Sequence, residues 1–442
     1  MRLPAFAARA VEALERAGFE TWAVGGCVRD LLRGAEPHDW DLCTAAAPDE
    51  MKAVFAGERT LETGLKHGTL TLLTGGGPLE ITTFRADGAY SDSRHPDAVT
   101  FVRDVRADLA RRDFTVGAMA WHPARGLCDP YGGRDDLRNG VLRAVGDPDA
   151  RFREDALRIL RGVRFAARLG FAVETETAAA MRRQAAGLAR VAPERVRGEL
   201  TDALCGRFAC RALRDFADIV CTALPELAPM RDCEQQNPHH LYGVWEHSVR
   251  AAGQVPAEPV LRWAALLHDC GKPACKTVDD NGVGHFYGHP AAGREIAERL
   301  MRRLRFPNDE LGEILLLVEQ HDRPLGDSGK LVRRRLAQIG TARFRRLLAV
   351  KKGDAVGQGT HPEDIARLLE TEALLDAVLA ADACVSLRQL AVDGNDIKAL
   401  GLSGPAVGEM LRALLDAVLD ETTDNTADAL LALARARMEE RL

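Results

Sequence analysis

Residues 21–44 read TWAVGGCVRDLLRGAEPHDWDLCT, and the rest of the chain is arranged to serve this stretch. Residues 22–24 end a short apolar strand. Gly25 and Gly26 follow it, and with no Cβ in the way the backbone turns sharply there. A glycine pair after a strand also brings backbone N–H groups to close range, which suits a phosphate. Thirteen residues after Gly26 the strand-like run DWDLCT begins with Asp39 and Asp41. Side chains at i and i+2 of a strand share a face, so the spacing predicts that both carboxylates enter one site. Two such groups repel unless a cation lies between them, and Mg²⁺ held by one or two carboxylates plus substrate phosphates is the economical solution. A lone D-x-D reads better as a surface pair beside a turn; the glycine turn upstream favours the metal.

With 442 residues, two to four domains are expected. A composition of 46% hydrophobic and 28% charged residues is that of an ordinary globular protein, and abundant Ala, Leu and Arg favours helices. No apolar run is long enough to span a bilayer, and the first twenty residues read as an amphipathic helix over 4–18, not a signal peptide. The ten cysteines contain no C-x-x-C pair and read as reduced thiols of a cytoplasmic protein. A net charge of −6 argues against bulk attraction to nucleic acid. Its distribution is uneven: residues 151–197 hold eleven arginines, no lysine and five acidic residues, a local +6.

GGCVRD followed by DWDLCT resembles the nucleotidyltransferase superfamily, specifically the class II CCA-adding enzymes and bacterial poly(A) polymerases. The segment from Leu61 (LETGLKHGTLTLLTGGGPLEITTFR) predicts two strands joined as a hairpin at 75–78. Glu80, in the second strand, reads either as a third carboxylate beside the aspartates or as an ordinary strand-face glutamate. Residues 86–98 are polar and rich in turn formers, hence a loop; the resemblance associates a loop here with the switch from C to A addition. LARRDFTVGAM (109–119) resembles the family's R-R-D-F-T-I-N-A, with Gly117 where the family usually has Asn. Arg111 and Arg112 are permanently charged forks suited to a triphosphate, although an Arg-Arg-Asp run alone reads as a solvated helix end.

Past Asp147 the periodicity is helical, with Asp155, Arg158 and Arg161 at i, i+3 and i+6 and Arg164 continuing the stripe. Taken alone this is a salt-bridged helix. Its E-D-x-x-R resembles the family's nucleotide-selecting motif, in which an Asp and an Arg hydrogen-bond the base edge in place of a template. PERVRGEL (193–200) matches the next family motif and is expected to support that helix.

A second centre lies further on. His247, the pair His268-Asp269 and the distant Asp354 resemble the HD-domain metal phosphohydrolases, and His289 and His321 would extend the site to two metals. Imidazole with carboxylate suits a transition metal. Lys272 reads either as a phosphate-neutralising group or as a helix cap.

The resemblance implies an α+β chain: a small mixed β-sheet nucleotidyltransferase head (1–140) followed by an all-α neck (141–235), an HD domain (236–358) and a tail (359–442) contacting tRNA. A short loop is expected at 391–402. The implied activity is addition of CMP, CMP and AMP from CTP and ATP to the 3′ end of tRNA, with a phosphoesterase in the HD domain and no membrane association. Asp39, Asp41 and Glu80 would be catalytic. Gly25, Gly26, Arg29, Asp30, Arg111, Arg112, Asp113, Asp155, Arg158, Arg161 and Arg164 would bind nucleotide. A poly(A) polymerase, and an HD phosphohydrolase whose head merely binds RNA, are the alternatives; GLKHGTLTLL (64–73) looks like the CCA-adding version.

Overall fold

The computed structural model describes residues 1–65, 68–87, 99–237, 240–359 and 362–440. Its backbone divides into two compact units, Met1–Ala228 with Arg303–Arg305, and Pro229–Arg302 with Phe306–Leu442.

The first unit opens with the helix Ala5–Arg16, whose Ala7, Ala10, Val11 and Leu14 recur at helical spacing and are buried. Among the described residues nine strands follow in the head: β1 (Thr21–Val24), β2 (Asp41–Thr44), β3 (Thr60–Leu61), β4 (Thr69–Thr74), β5 (Gly77–Thr83), β6 (Arg85–Asp87), β7 (Val99–Phe101), β8 (Ala120–His122) and β9 (Gly126–Cys128). Seven form one sheet in the order β3-β4-β5-β2-β1-β8-β9, while β6 and β7 make a separate ribbon. Within the sheet every neighbouring pair is antiparallel except β2 and β5, which run parallel. The expected hairpin is β4–β5, turning at Gly75 and Gly76. Trp22, Val24, Cys43, Phe84, Leu109 and Ala120 pack as one cluster of this core. Of the expected loop at 86–98, residues 88–98 lie outside the described residues, as do Lys66 and His67 of GLKHGTLTLL.

Two local expectations change. Strand β2 begins at Asp41, not before it, because β1 leaves the ladder at Gly25 (φ +77°) after its last pairing, Ala23 with Leu42. Asp39 therefore sits in the bend ahead of the strand, where the alternation of strand side chains does not apply. The arginine stripe is likewise not one helix. The helix Pro148–Glu154 stops at Asp155, whose φ of −141° and ψ of 103° are extended, and a new helix runs Leu157–Leu169. Asp155 starts the second helix by accepting the Leu157 N–H at 3.0 Å. The helix Pro193–Leu204 packs along it, and Val141–Leu142 pairs with Ala172–Val173 as a two-residue parallel bridge.

The second unit is helical, with a two-residue hairpin of Thr277–Val278 and Gly284–His285. Its core helices are Val244–Gln254, Pro259–Leu267, His289–Arg303, Asn308–Gln320 and Thr341–Gln358. The first and last of these cross closely because Gly353 and Gly357 lie at the contact; a Cβ on Gly353 would stand 2.8 Å from the carbonyl oxygen of Ala251. The loop expected at 391–402 contains a helix, Gly394–Ala399. Asp393 accepts the Asn395 and Asp396 N–H groups while Asp396 accepts the N–H of Asp393, a reciprocal cap that starts a helix in a glycine-containing stretch. Ile397, Val407, Met410, Leu414 and Leu430 form a cluster around it. Among the described residues no helix is long and apolar enough to cross a membrane, and all ten cysteines are free thiols.

Gly353→Ala is expected to lower unfolding stability by about 2 kcal/mol, because backbone faces the added methyl. Gly312→Ala, with open space around it in the helix Asn308–Gln320, should leave stability unchanged or raise it by up to about 1 kcal/mol. Denaturant unfolding of the two variants measures the contrast.

Candidate functional site

In the head, the parallel register sets Asp41 directly opposite Glu80. Paired residues on adjacent strands send their side chains from the same face, so the two carboxyls stand abreast. Burial first, and Glu80 second, push Asp41 up to about 6; Arg112 opposes the shift, and Asp39 adds a smaller repulsion. Three acidic groups thus converge at the start of β2. A divalent cation is the ligand that relieves such a set, and the raised Asp41 is the observation that fits one.

Beneath the glycine turn lies a paired arginine floor. Asp108 is fully buried, and Arg111 donates to its Oδ1 from Nε and Nη2 at 2.9 and 2.7 Å. Arg112 Nη2 donates to Oδ2 at 3.1 Å, and Nη1 reaches the Gly117 carbonyl at 3.5 Å. Burial alone would raise Asp108, but Arg112 and Arg111 hold it below the usual carboxylate range. A Cβ on Gly25 would stand 3.0 Å from Arg112 Nη1, so the turn and the guanidinium fit only with glycine there. A side chain at Gly117 would meet only Asp113 Oδ1, at 3.7 Å, an ordinary contact. Arg29 is folded onto its neighbour Asp30 through bonds of 2.9 and 3.1 Å.

The neck arginines are also partnered. Arg158 is buried; its Nη1 donates to Glu154 Oε2 at 2.6 Å and its Nη2 to the Arg111 carbonyl at 3.0 Å. Asp155 Oδ2 accepts from Arg195 at 2.9 Å. Arg161 pairs with Asp113 at 2.6 Å, and Arg164 with Glu199 at 2.6 Å. Burial would raise Asp113, and Arg161 holds it low instead. The ring of Phe165 gathers three guanidiniums, with Arg164, Arg161 and Arg29 at 4.4, 5.7 and 5.8 Å from its centroid. Sequence reasoning passed over Asp108, Phe165, Glu199 and Arg195. The signal for Asp108 was present in the i, i+3, i+4 spacing of D-x-x-R-R.

In the second unit six ligand-type residues from five segments meet. His247 Nε2 lies 3.1 Å from His268 Nε2, 3.1 Å from Asp354 Oδ1 and 3.3 Å from Asp269 Oδ2. On the other side of Asp269, Oδ1 is 3.3 Å from His289 Nε2 and 3.7 Å from His321 Nε2. The Nδ1 atoms of His268, His289 and His321 bond to the carbonyls of Ala265, Phe286 and Val318 at 2.7, 2.9 and 2.7 Å. Those carbonyls fix the proton on Nδ1 and leave the Nε2 lone pairs facing inward. Burial alone would lower His268, yet Asp269 and Asp354 push it up to about 10. The carboxylates therefore demand a cation, and the inward lone pairs fit a metal ion in that place. Lys272 is buried and does not cap a helix: Nζ sits 2.7 Å from Asp269 Oδ2 and 2.8 Å from Gln235 Oε1. His240, also overlooked in the sequence, lines the same cavity of about 320 Å³, edge-on to His247 with ring centroids 5.8 Å apart.

The fold and these two centres belong to a known class. Residues 21–143 match the family described as "Poly A polymerase head domain", residues 170–219 "Probable RNA and SrmB- binding site of polymerase A", and residues 239–384 "HD domain". The chain joins a poly(A) polymerase-type head to an HD domain. It is 42% identical over 264 residues to the CCA-adding enzyme of Geobacillus thermodenitrificans, an alignment spanning 59% of this chain and 62% of that one. Against the CCA-adding enzyme of Geobacillus stearothermophilus it is 34% identical over 410 residues, 91% of this chain and 90% of the relative. The crystal structure of the Bacillus stearothermophilus CCA-adding enzyme in complex with CTP superposes with a TM-score of 0.73 at 29% identity, covering 100% of this chain and 99% of that one. The chain belongs to the CCA-adding enzyme family, whose nucleotidyl transfer is metal-dependent.

This geometry has two measurable outcomes. Asp108→Asn leaves two guanidiniums facing a neutral amide in a buried site and should cost about 3 kcal/mol in urea unfolding. Asp41 has a folded pKa of about 6 against an ordinary value of 3.8, so the folded chain holds this proton more tightly than the unfolded one. Its ionisation therefore destabilises the fold as pH rises from 3.8 through about 6. A divalent cation should raise the melting temperature more at about pH 7.5 than at about pH 5.5, on either side of that folded value. In Asp41→Asn the head's share of that difference should vanish.

Proposed function

We propose that the first unit adds CMP, CMP and AMP, from CTP and ATP, to the 3′ end of tRNA without a nucleic-acid template. The observation that carries this reading is Asp41 abreast of Glu80, with Asp39 beside them, next to an arginine floor anchored on Asp108. Whole-chain similarity to a CCA-adding enzyme solved with CTP supports it. The division of labour follows the head (1–140), neck (141–235), HD domain (236–358) and tail (359–442).

Asp39, Asp41 and Glu80 would hold Mg²⁺, which when bound supplies charge neutralisation at the triphosphate and a more acidic 3′-hydroxyl. Gly25 and Gly26 let the backbone approach the phosphates, and Arg29, Arg111 and Arg112 carry the positive charge that holds them. Asp30 and Asp113 aim Arg29 and Arg161 through their ion pairs. Asp155 and Arg158 read the base edge: the carboxylate accepts from the exocyclic amine that C and A share, and the guanidinium donates to ring nitrogen or carbonyl. To do so they exchange Arg195 and Glu154 for the nucleotide. Arg161 and Arg164, held against Phe165, assist from the same side. The tRNA is recognised by shape and backbone, with affinity that falls as salt rises.

The second unit carries a separate phosphoesterase. His247, His268, Asp269, His289, His321 and Asp354 would hold one or two first-row transition ions, which supply a nucleophile from water at neutral pH. Lys272 balances the charge of Asp269 and of an incoming phosphate.

The test is a tRNA lacking its 3′ terminus, supplied with each nucleotide in turn. CTP alone should extend it by two residues, with ATP required for the third; extension by a run of A from ATP alone would establish the poly(A) polymerase instead. Asp39→Ala should abolish addition and keep phosphoesterase activity, and His268→Ala should do the reverse. Addition surviving Asp39→Ala would overturn the assignment of the head.

A further inference from the structure

The six HD ligands are not all held in the same way. His268, His289 and His321 each give Nδ1 to a backbone carbonyl, and Asp269 is braced by Lys272 Nζ at 2.7 Å. The corner made by His247 and Asp354 has neither support. His247 Nδ1 is buried with no hydrogen-bond partner among the described residues. The Asp354 side chain is 22% exposed, against 2% for Asp269. It also lines a neighbouring cavity of about 360 Å³, so this carboxylate has room to turn away. A side chain on the same helix opposes that turn. Gln358 Nε2 donates to Asp354 Oδ1 at 3.0 Å. This is the oxygen that lies 3.1 Å from His247 Nε2 and 3.6 Å from His268 Nε2. Asp354 and Gln358 stand four residues apart on the helix Thr341–Gln358, hence on one face of it. The point from which the amide reaches is fixed as well, since a Cβ on Gly357 would stand 3.2 Å from the His247 carbonyl oxygen.

We infer that Gln358 is a positioning residue of the HD centre: its amide keeps Asp354 Oδ1 turned toward His247 and His268, and so sets how tightly these three residues retain a metal ion. This rests on the reading of that centre as a metal site. The chemistry of the amide suits the task. Carboxylate oxygens only accept and have two lone pairs each, so Oδ1 can take the amide N–H and an ion together. A neutral amide also adds no charge, whereas a lysine or arginine in its place would compete with the ion for the carboxylate. Ligand atoms of His247, His268 and Asp354 all lie within 4.8 Å of one another, and those of His268, Asp269 and His321 form a second such group. Gln358 bonds to a member of the first group. Its influence should therefore be unequal across the centre, strong at the His247 corner and weak at the His321 side.

The experiment titrates the full-length chain, stripped of metal, with Mn²⁺ and separately with Co²⁺ by calorimetry. Every protein compared carries Asp41→Asn, so that the head does not contribute. Gln358→Ala, and Gln358→Met, which keeps the bulk but loses the donor, should each weaken binding by about tenfold to a hundredfold. The rise in melting temperature on adding Mn²⁺ should shrink in step. In Asp354→Ala the amide has nothing to hold, and adding Gln358→Met should change affinity no further. If the centre takes up two ions, one affinity should fall and the other stay. Unchanged affinity in Gln358→Met, an equal loss at both ions, or an additive loss in the double variant overturns the inference and leaves the metal reading standing. No uptake of either ion by the unsubstituted centre overturns both.

Discussion

Parallel pairing of β2 with β5, in register at Asp41 and Glu80, is the constraint on which the head depends. Every other neighbouring pair in the sheet is antiparallel. One slip of register would turn Glu80 to the opposite face and leave Asp41 alone. Instead two acids share one face, with Asp39 close by, and burial first and that crowding second hold the Asp41 carboxyl above its ordinary range. The turn at Gly25 adds the complementary half. It ends the pairing of β1 with β2, and it leaves room for Arg112 under the backbone.

Charge in the rest of this unit is held in matched sets. Asp108 is shared by two arginines, Glu154 by Arg151 and Arg158, Glu199 by Arg161 and Arg164. A local excess of arginine inside an acidic chain is thereby kept ordered without substrate. Guanidiniums already fixed in direction lose little entropy on binding, and the exchange of one carboxylate or carbonyl for another is close to balanced in energy. The second unit solves the same problem differently: its buried carboxylates face imidazoles and the Lys272 ammonium.

Much of this was legible because it is local. A strand, a glycine pair and a helix are neighbours in sequence, so GGCVRD announces its own turn, and HD is written as two adjacent letters. Glu80 was only half legible, since its role depends on which strand lies alongside. The break at Asp155 was hidden because the arginine periodicity runs through it unchanged. Only the backbone reveals that the side chain caps the next helix and does not belong to the stripe. Asp108 escaped notice because a buried acid between two arginines looks, in sequence, like a solvated helix face. The helix at Gly394–Ala399 was read as loop because its glycine and asparagine outweighed the reciprocal cap.

The separations between partners have a consequence for biogenesis. Glu80 reaches Asp41 across 39 positions, Arg161 reaches Asp113 across 48, and Arg164 reaches Glu199 across 35. Contacts of this kind form late, since the intervening chain must first give up its freedom. During synthesis the glycine turn and its aspartates leave the ribosome well before the residues that complete and align the centre. A chain ending short of Glu199 would carry the glycine turn and its aspartates without the partner that holds Arg164 in place.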